Sequence, residues 1–189
     1  MLSSYAQHNY GAVFKAIVSA FQPTTCVELG CLEGYSTVAI AQGLKENGQG
    51  HLTAVDLFES YEFRNSPQAR TQANIDAAGV SEFVTLRQGD AFTAHELFAD
   101  NSVALLHVDL SNTGETVKHI MDHWDAKMVQ GGLILFEGGT EERDSIEWMT
   151  KFSKAPIKQE LENNATITEK YVMATYMRFP GLSCLLKKR

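Results

Sequence analysis

The chain has 189 residues, 44% of them apolar and 21% charged, with a formal net charge of −7. That length suffices for one domain with a full core and no disulfide or metal staples. An acidic balance without an offsetting basic stripe counts against a nucleic-acid partner, and no apolar run approaches the ~20 residues that span a bilayer. No basic stretch followed by an apolar one opens the sequence, so a cytoplasmic location and no membrane partner are expected. Cys26, Cys31 and Cys184 are odd in number and lack paired metal spacing, which favours reduced thiols.

The opening is polar, with Tyr5, His8, Asn9 and Tyr10 close together. This reads as a frayed, solvated terminus, with a flap over a ligand as the alternative. Val13, Phe14, Ile17, Val18 and Phe21 recur at helical spacing, and Pro23 stops that helix. Cys26, Val27 and Leu29 then make a short apolar run suited to a buried parallel strand. Gly30 and Gly34 bracket a tight turn, and residues 36–44 read as a helix with Val38, Ile40, Ala41 and Leu44 on its apolar side. Strand, glycine turn and helix start together let a polar ligand approach bare backbone. Glu28, at the strand's end, can accept from a ligand amine or hydroxyl. A second strand over 52–57 brings Asp56 and Leu57 to its tip. Residues 58–67 are aromatic and charged, and read as an active-site loop or a plain surface excursion. A polar helix over 69–78 closes at Gly79.

The third strand covers 83–86 and leads into Gln88-Gly-Asp-Ala91, where Asp90 is placed to bind the amino group of a base. A short helix spans 95–98, and the fourth strand, 103–109, ends in Asp109. Residues 116–128 form a helix with Val117, Ile120, Met121 and Trp124 inward, and strand 131–137 ends in Glu137. A loop at 138–144 leads into a helix through Phe152. The tail from 165 to 187 reads as two β segments broken at Pro180-Gly181, an antiparallel hairpin at a sheet edge. Alternating strands and helices imply a doubly wound, Rossmann-like α/β sheet with mainly parallel strands. The acids Glu28, Asp56, Asp109 and Glu137 then fall along one rim, where ligands bind in open sheets. His107 and Asp109, two apart, share a strand face and form the best base candidate, with a core histidine the plainer reading of His107. Glu137 can orient an acceptor, help a cation bind or cap the following loop. Arg143 is expected in a surface ion pair with Glu141, Glu142 or Asp144 rather than on an anionic substrate. His119 and His123, at i and i+4, lack an evident third ligand, so a solvated helix face is expected.

The stretch Glu28-Leu-Gly-Cys-Leu-Glu-Gly-Tyr-Ser36 resembles the first motif of the class I S-adenosylmethionine-dependent methyltransferases, in their small O-methyltransferase-like branch. It does not fit the dinucleotide fingerprint, because position 32 is Leu. The resemblance implies a seven-stranded sheet whose last strand is antiparallel. It implies a cofactor, S-adenosylmethionine, held by Gly30 and Ser36 at its methionine end, by Asp56 at the ribose and by Asp90 with Ala91 at the adenine, with Glu28, Gly34 and Leu57 as further cofactor-binding candidates. Asp109 and Glu137 match the acids of catechol-type relatives and, with His107, are the candidate catalytic residues for a small-molecule acceptor beyond strands four and five. Catechol-type relatives bind Mg²⁺ through an acid after strand four and an Asp-Asn pair after strand five. Here Gly138 replaces the Asn, which counts against a dedicated Mg²⁺ site, and no metal ligand is assigned. The lysine or histidine base that relatives carry after the strand-four acid is absent from Leu110, Ser111 and Asn112. One domain over 1–189 is expected, with a helix or flap at 1–22, a cofactor-binding core at 23–155 and an edge hairpin at 156–189. A homodimer is left open. Two other readings stay open as well: a non-catalytic scaffold with a retained nucleoside pocket, and an α/β enzyme using another nucleotide, such as a nicotinamide dehydrogenase.

Overall fold

The computed structural model describes residues 1–189, which divide into two units, Met1–Ala94 and His95–Arg189. In the first, helix α1 (Tyr10–Phe21) is amphipathic and buries Tyr10, Phe14 and Val18. Tyr5 is also fully buried, its ring 5.0 Å from Tyr10 and edge-on to Phe14 at 5.1 Å. The expectation of a frayed, solvated terminus is therefore corrected: three aromatic rings packed together outweigh the polar residues between them. Strand β1 (Thr25–Leu29) is buried over residues 26–29 and leads through the glycine turn into α2 (Tyr35–Asn47). Gly43 of α2 lets α1 approach closely, since a Cβ there would lie 2.7 Å from the Val18 side chain. Strand β2 (His51–Asp56), helix α3 (Gln68–Ala77) and strand β3 (Val84–Gln88) complete the unit. β1 and β2 pair in parallel with Thr25 opposite His51, and β2 and β3 with Leu52 opposite Val84. Val38, Ala41, Ile75 and Val80 form the core between α2, α3 and this sheet, with Phe83, Val84 and Leu86 packed on it.

The second unit opens with β4 (Val103–Val108) and α4 (Gly114–Trp124). Thr113 caps α4 by accepting from the Thr116 amide at 3.3 Å, and Val117, Ile120, Met121 and Trp124 are all buried, as their spacing predicts. The helix stops at Trp124 and passes through a single 3₁₀ turn, Asp125–Lys127, so strand β5 (Met128–Glu137) starts three residues before the expected 131. Four short helices follow: α5 (Glu141–Asp144), α6 (Glu147–Lys151), α7 (Ile157–Asn163) and α8 (Ala165–Lys170). The sequence places a β segment where α8 lies. Thr and Ile favour strands there, but Asn164 caps the segment by accepting from the Ile167 amide at 3.3 Å, and Ile167 is buried. Strands β6 (Tyr171–Tyr176) and β7 (Leu182–Lys187) form the expected hairpin, with β7 antiparallel to both β6 and β5. β4 and β5 pair in parallel. The seven strands are ordered β3-β2-β1-β4-β5-β7-β6 in a mixed sheet. No helix is long and apolar enough to cross a membrane. All three cysteines are free thiols, and burial pushes Cys26 up to about 12 and Cys184 up to about 11.

Candidate functional site

In the first unit the glycine turn passes repeatedly through the left-handed region, with φ of 81° at Gly30, 48° at Leu32 and 85° at Gly34. Three side chains hold it there. Asp56, at the tip of β2, accepts through Oδ2 from the amides of Cys31 at 2.7 Å and Leu32 at 3.1 Å, and through Oδ1 from the Phe58 amide at 2.7 Å. From α3, the Thr71 hydroxyl donates to the Leu32 carbonyl at 2.5 Å and Asn74 Nδ2 to the Glu33 carbonyl at 2.8 Å. A Cβ on Gly34 would lie 3.0 Å from the Thr71 methyl. Gly34→Ala is accordingly expected to lower stability by about 1–2 kcal/mol, the cost of a left-handed side-chain-bearing residue. Urea denaturation measures this, and an unchanged midpoint would show that the turn is not held in this conformation.

Glu28 lies fully buried behind the turn. Its two oxygens accept from the hydroxyls of Ser36, at 2.5 Å, and Thr37. The expectation that Glu28 accepts from a ligand is thereby corrected: a buried carboxylate needs partners, and the first turn of α2 supplies them. The Ser36 hydroxyl is turned toward Glu28, so what α2 offers a ligand is the backbone N–H groups of its first turn. Leu57 is half-buried, its carbonyl accepting from Gln88 Nε2 at 3.2 Å. Asp90 is exposed, with Oδ1 accepting from the Phe92 amide at 2.9 Å, and Ala91 beside it is buried.

In the second unit β4 ends at Val108, so Asp109 follows the strand and is half-buried, whereas His107 is fully buried within it, opposite Leu135. Asn112 is fully buried and ties two strand ends together, its Nδ2 donating to the carbonyls of Val108 at 2.9 Å and Glu137 at 3.0 Å. Glu137 is 4% exposed and Arg143 5%. Arg143 grips both Glu137 oxygens, Nε to Oε1 at 3.0 Å and Nη2 to Oε2 at 3.1 Å, with its guanidinium 5.4 Å from the Trp148 ring. Two expectations are corrected here. Arg143 is not a surface residue paired with Glu141, Glu142 or Asp144, and the Glu137 carboxylate is not open to an acceptor or a cation. The physical reason is local: Thr140 caps α5 by accepting from the Arg143 amide at 3.2 Å, which starts a helix whose third residue turns inward.

Magnesium does not fit these residues. It demands near-octahedral oxygen coordination, yet Glu137 is taken by Arg143, Gly138 has no side chain, and no group of three or more His, Cys, Asp or Glu is arranged to hold a metal. Sequence reading missed Thr37, Thr71, Asn74 and Asn112 as supports. Thr71 and Asn74 stand three apart on a polar helix, hence on one face, which was the available signal. Asn112 carried none beyond its place after a strand.

Residues 27–137, more than half of the chain, match a family profile described as a methyltransferase domain. A catechol O-methyltransferase of Niastella koreensis is 32% identical over 83 residues, 44% of this chain. That match spans about a third (34%) of the relative's length. Among solved structures, an SAH-bound methyltransferase of Podospora anserina has a TM-score of 0.69 at 18% identity, covering 100% of this chain and 80% of its own. An O-methyltransferase of Bacillus cereus in complex with SAH has a TM-score of 0.69 at 16% identity, covering 99% and 84%. At those identities the likeness is one of fold, and it covers nearly the whole chain. With its glycine turn braced by Asp56 and its residues matched from β1 to the end of β5, the chain belongs to the methyltransferase-domain family.

Proposed function

We propose that this chain transfers a methyl group from S-adenosylmethionine to a small molecule, at a hydroxyl. The observation that carries the reading is the glycine turn held between Asp56 and the start of α2, within a chain of the methyltransferase-domain family. The catechol O-methyltransferase relative favours a hydroxyl acceptor. When bound, the cofactor supplies an electrophilic methyl on a sulfonium. The first-turn N–H groups of α2 suit the methionine carboxylate, because a helix start offers unpaired donors and a positive dipole end. Asp56 serves the ribose hydroxyls. An ionised carboxylate has about four lone-pair directions, and three amides already use the Asp56 oxygens, so these hydroxyls share or displace them. Asp90 and Ala91, at the corner after β3, serve the adenine.

Positioning supplies much of the catalysis in a displacement of this kind. Asp109 orients the acceptor hydroxyl and takes its proton as the new O–C bond forms. It is the better base than His107, since its carboxylate is half-buried past the strand while the imidazole is enclosed within β4. Glu137 and Arg143 act as scaffold. Calorimetry with S-adenosylhomocysteine is expected to show saturable one-to-one binding. A panel of catechols and related phenols, assayed with labelled methyl donor, then identifies the acceptor. No binding of S-adenosylhomocysteine would overturn the reading at its first step, and binding with no transfer to any hydroxyl acceptor would overturn its second.

A further inference from the structure

Arg143 has one nitrogen that its partners do not use. Nε and Nη2 form the fork on Glu137, at 3.0 and 3.1 Å, which leaves Nη1 outside the fork, buried and with no hydrogen-bond partner. Buried donors without a partner are rare in native proteins and costly, because an N–H taken from water loses its bonds there. Neighbouring carboxylates do not supply the partner. Asp144 accepts from the amides of Ile157 and Lys158, each at 2.9 Å, and Glu141 pairs with Lys158 at 2.7 Å. Glu142 and Glu147 are exposed.

The place of this nitrogen decides its use. β4 and β5 run side by side with Val108 opposite Phe136, so Asp109 and Glu137 follow at matching positions. Asn112 fastens the two ends by holding the Val108 and Glu137 carbonyls. The guanidinium on Glu137 therefore stands at the rim where Asp109 meets the acceptor hydroxyl, and the inference rests on that reading. We propose that Arg143 selects the acceptor: its Nη1 donates to a second, uncharged oxygen of the molecule whose hydroxyl Asp109 deprotonates. That oxygen is uncharged because Glu137 already balances the guanidinium, and an added anion would be a buried charge without a counter-ion. The acceptor class is then a small molecule with at least two oxygens, one methylated and one held. An oxygen reaches the enclosed Nη1 only when a neighbour yields. Trp148 is that neighbour, half-buried on the five-residue helix α6, with its ring 5.4 Å from the guanidinium carbon.

Calorimetry on the chain saturated with S-adenosylhomocysteine tests this with phenol and with catechol, resorcinol and hydroquinone, which add a second hydroxyl at each ring spacing. At least one of these diols is expected to bind about tenfold more tightly than phenol, the effect of a hydrogen bond from a charged donor. Arg143→Lys keeps a cation beside Glu137 but carries a single nitrogen. It is expected to bind every diol no better than phenol, while phenol and S-adenosylhomocysteine bind as they do to the unmodified chain. A merely structural role for Arg143 would weaken all of these ligands together, and that result would overturn the inference. Equal binding of phenol and all the diols by the unmodified chain would overturn it as well. If Arg143→Lys fails to fold, nitrogen NMR of the unmodified chain decides. An Arg143 Nη1 signal that shifts with a diol and not with phenol supports the inference, and one held by ordered water and unmoved by any probe overturns it. Failure of the unmodified chain to bind S-adenosylhomocysteine would count instead against the methyl-transfer reading itself.

Discussion

Arg143→Met is expected to destabilise the chain by about 3–5 kcal/mol, the usual cost of stranding one member of a buried ion pair. Both partners are almost completely enclosed, and each Glu137 oxygen has its own guanidinium N–H. Removing the arginine leaves a carboxylate with neither water nor a counter-ion. The double variant Glu137→Gln/Arg143→Met is expected to recover most of the loss, because the buried charge disappears with its partner. Chemical denaturation of the two single variants and the double variant forms a cycle. Additive losses would mean that the pair contributes nothing through its contact.

Asp56→Asn is expected to lower stability by about 1–3 kcal/mol, the range for leaving buried polar groups unsatisfied, and to weaken S-adenosylhomocysteine by about tenfold or more, equivalent to about 1.4 kcal/mol. The geometry explains why so small a change matters. One oxygen serves Cys31 and Leu32 while the other serves Phe58. An asparagine has a single acceptor oxygen, so its NH₂ group must face amide donors on one side or the other. Asp109→Asn is the contrast, expected to lower turnover much more than cofactor affinity. Calorimetry compares the affinities before any acceptor is known. Loss of binding in Asp109→Asn with retention in Asp56→Asn would invert the assignment of the two carboxylates.

Much of the fold is legible in the sequence because it is written in local signals. The period of Val117, Ile120, Met121 and Trp124 fixes the buried face of α4, and Gly30 and Gly34 mark the turn before α2. The candidate site is legible only as positions. Glu28, Asp56 and Glu137 are recognisable as strand-end acids, but an acid at a strand end does not declare its partners. Glu28 answers to Ser36 and Thr37, eight and nine residues on, and Glu137 to Arg143, through contacts that depend on how a helix start is set. Arg143 shows the difficulty most clearly: three acidic neighbours in sequence pointed to a surface pair, whereas a threonine cap turned the side chain into the interior. The helix at Ala165–Lys170 escaped for a related reason, since one asparagine cap overrode a β-branched composition.

Strand β6 lies at the end of the strand order and pairs only with β7. Val172 is 57% exposed, Tyr176 43% and Met177, just beyond the strand, 63%. Natural sheet edges are blunted by proline, charge or a bulge, and Tyr-Val-Met-Ala-Thr-Tyr176 contains neither proline nor a charged side chain. Protection against edge-to-edge pairing therefore falls to the overall charge of −7, a long-range repulsion that salt screens within about 10 Å at 0.1 M. The consequence is colloidal: association of copies along β6 is expected to rise with added salt, and light scattering across a salt series measures it.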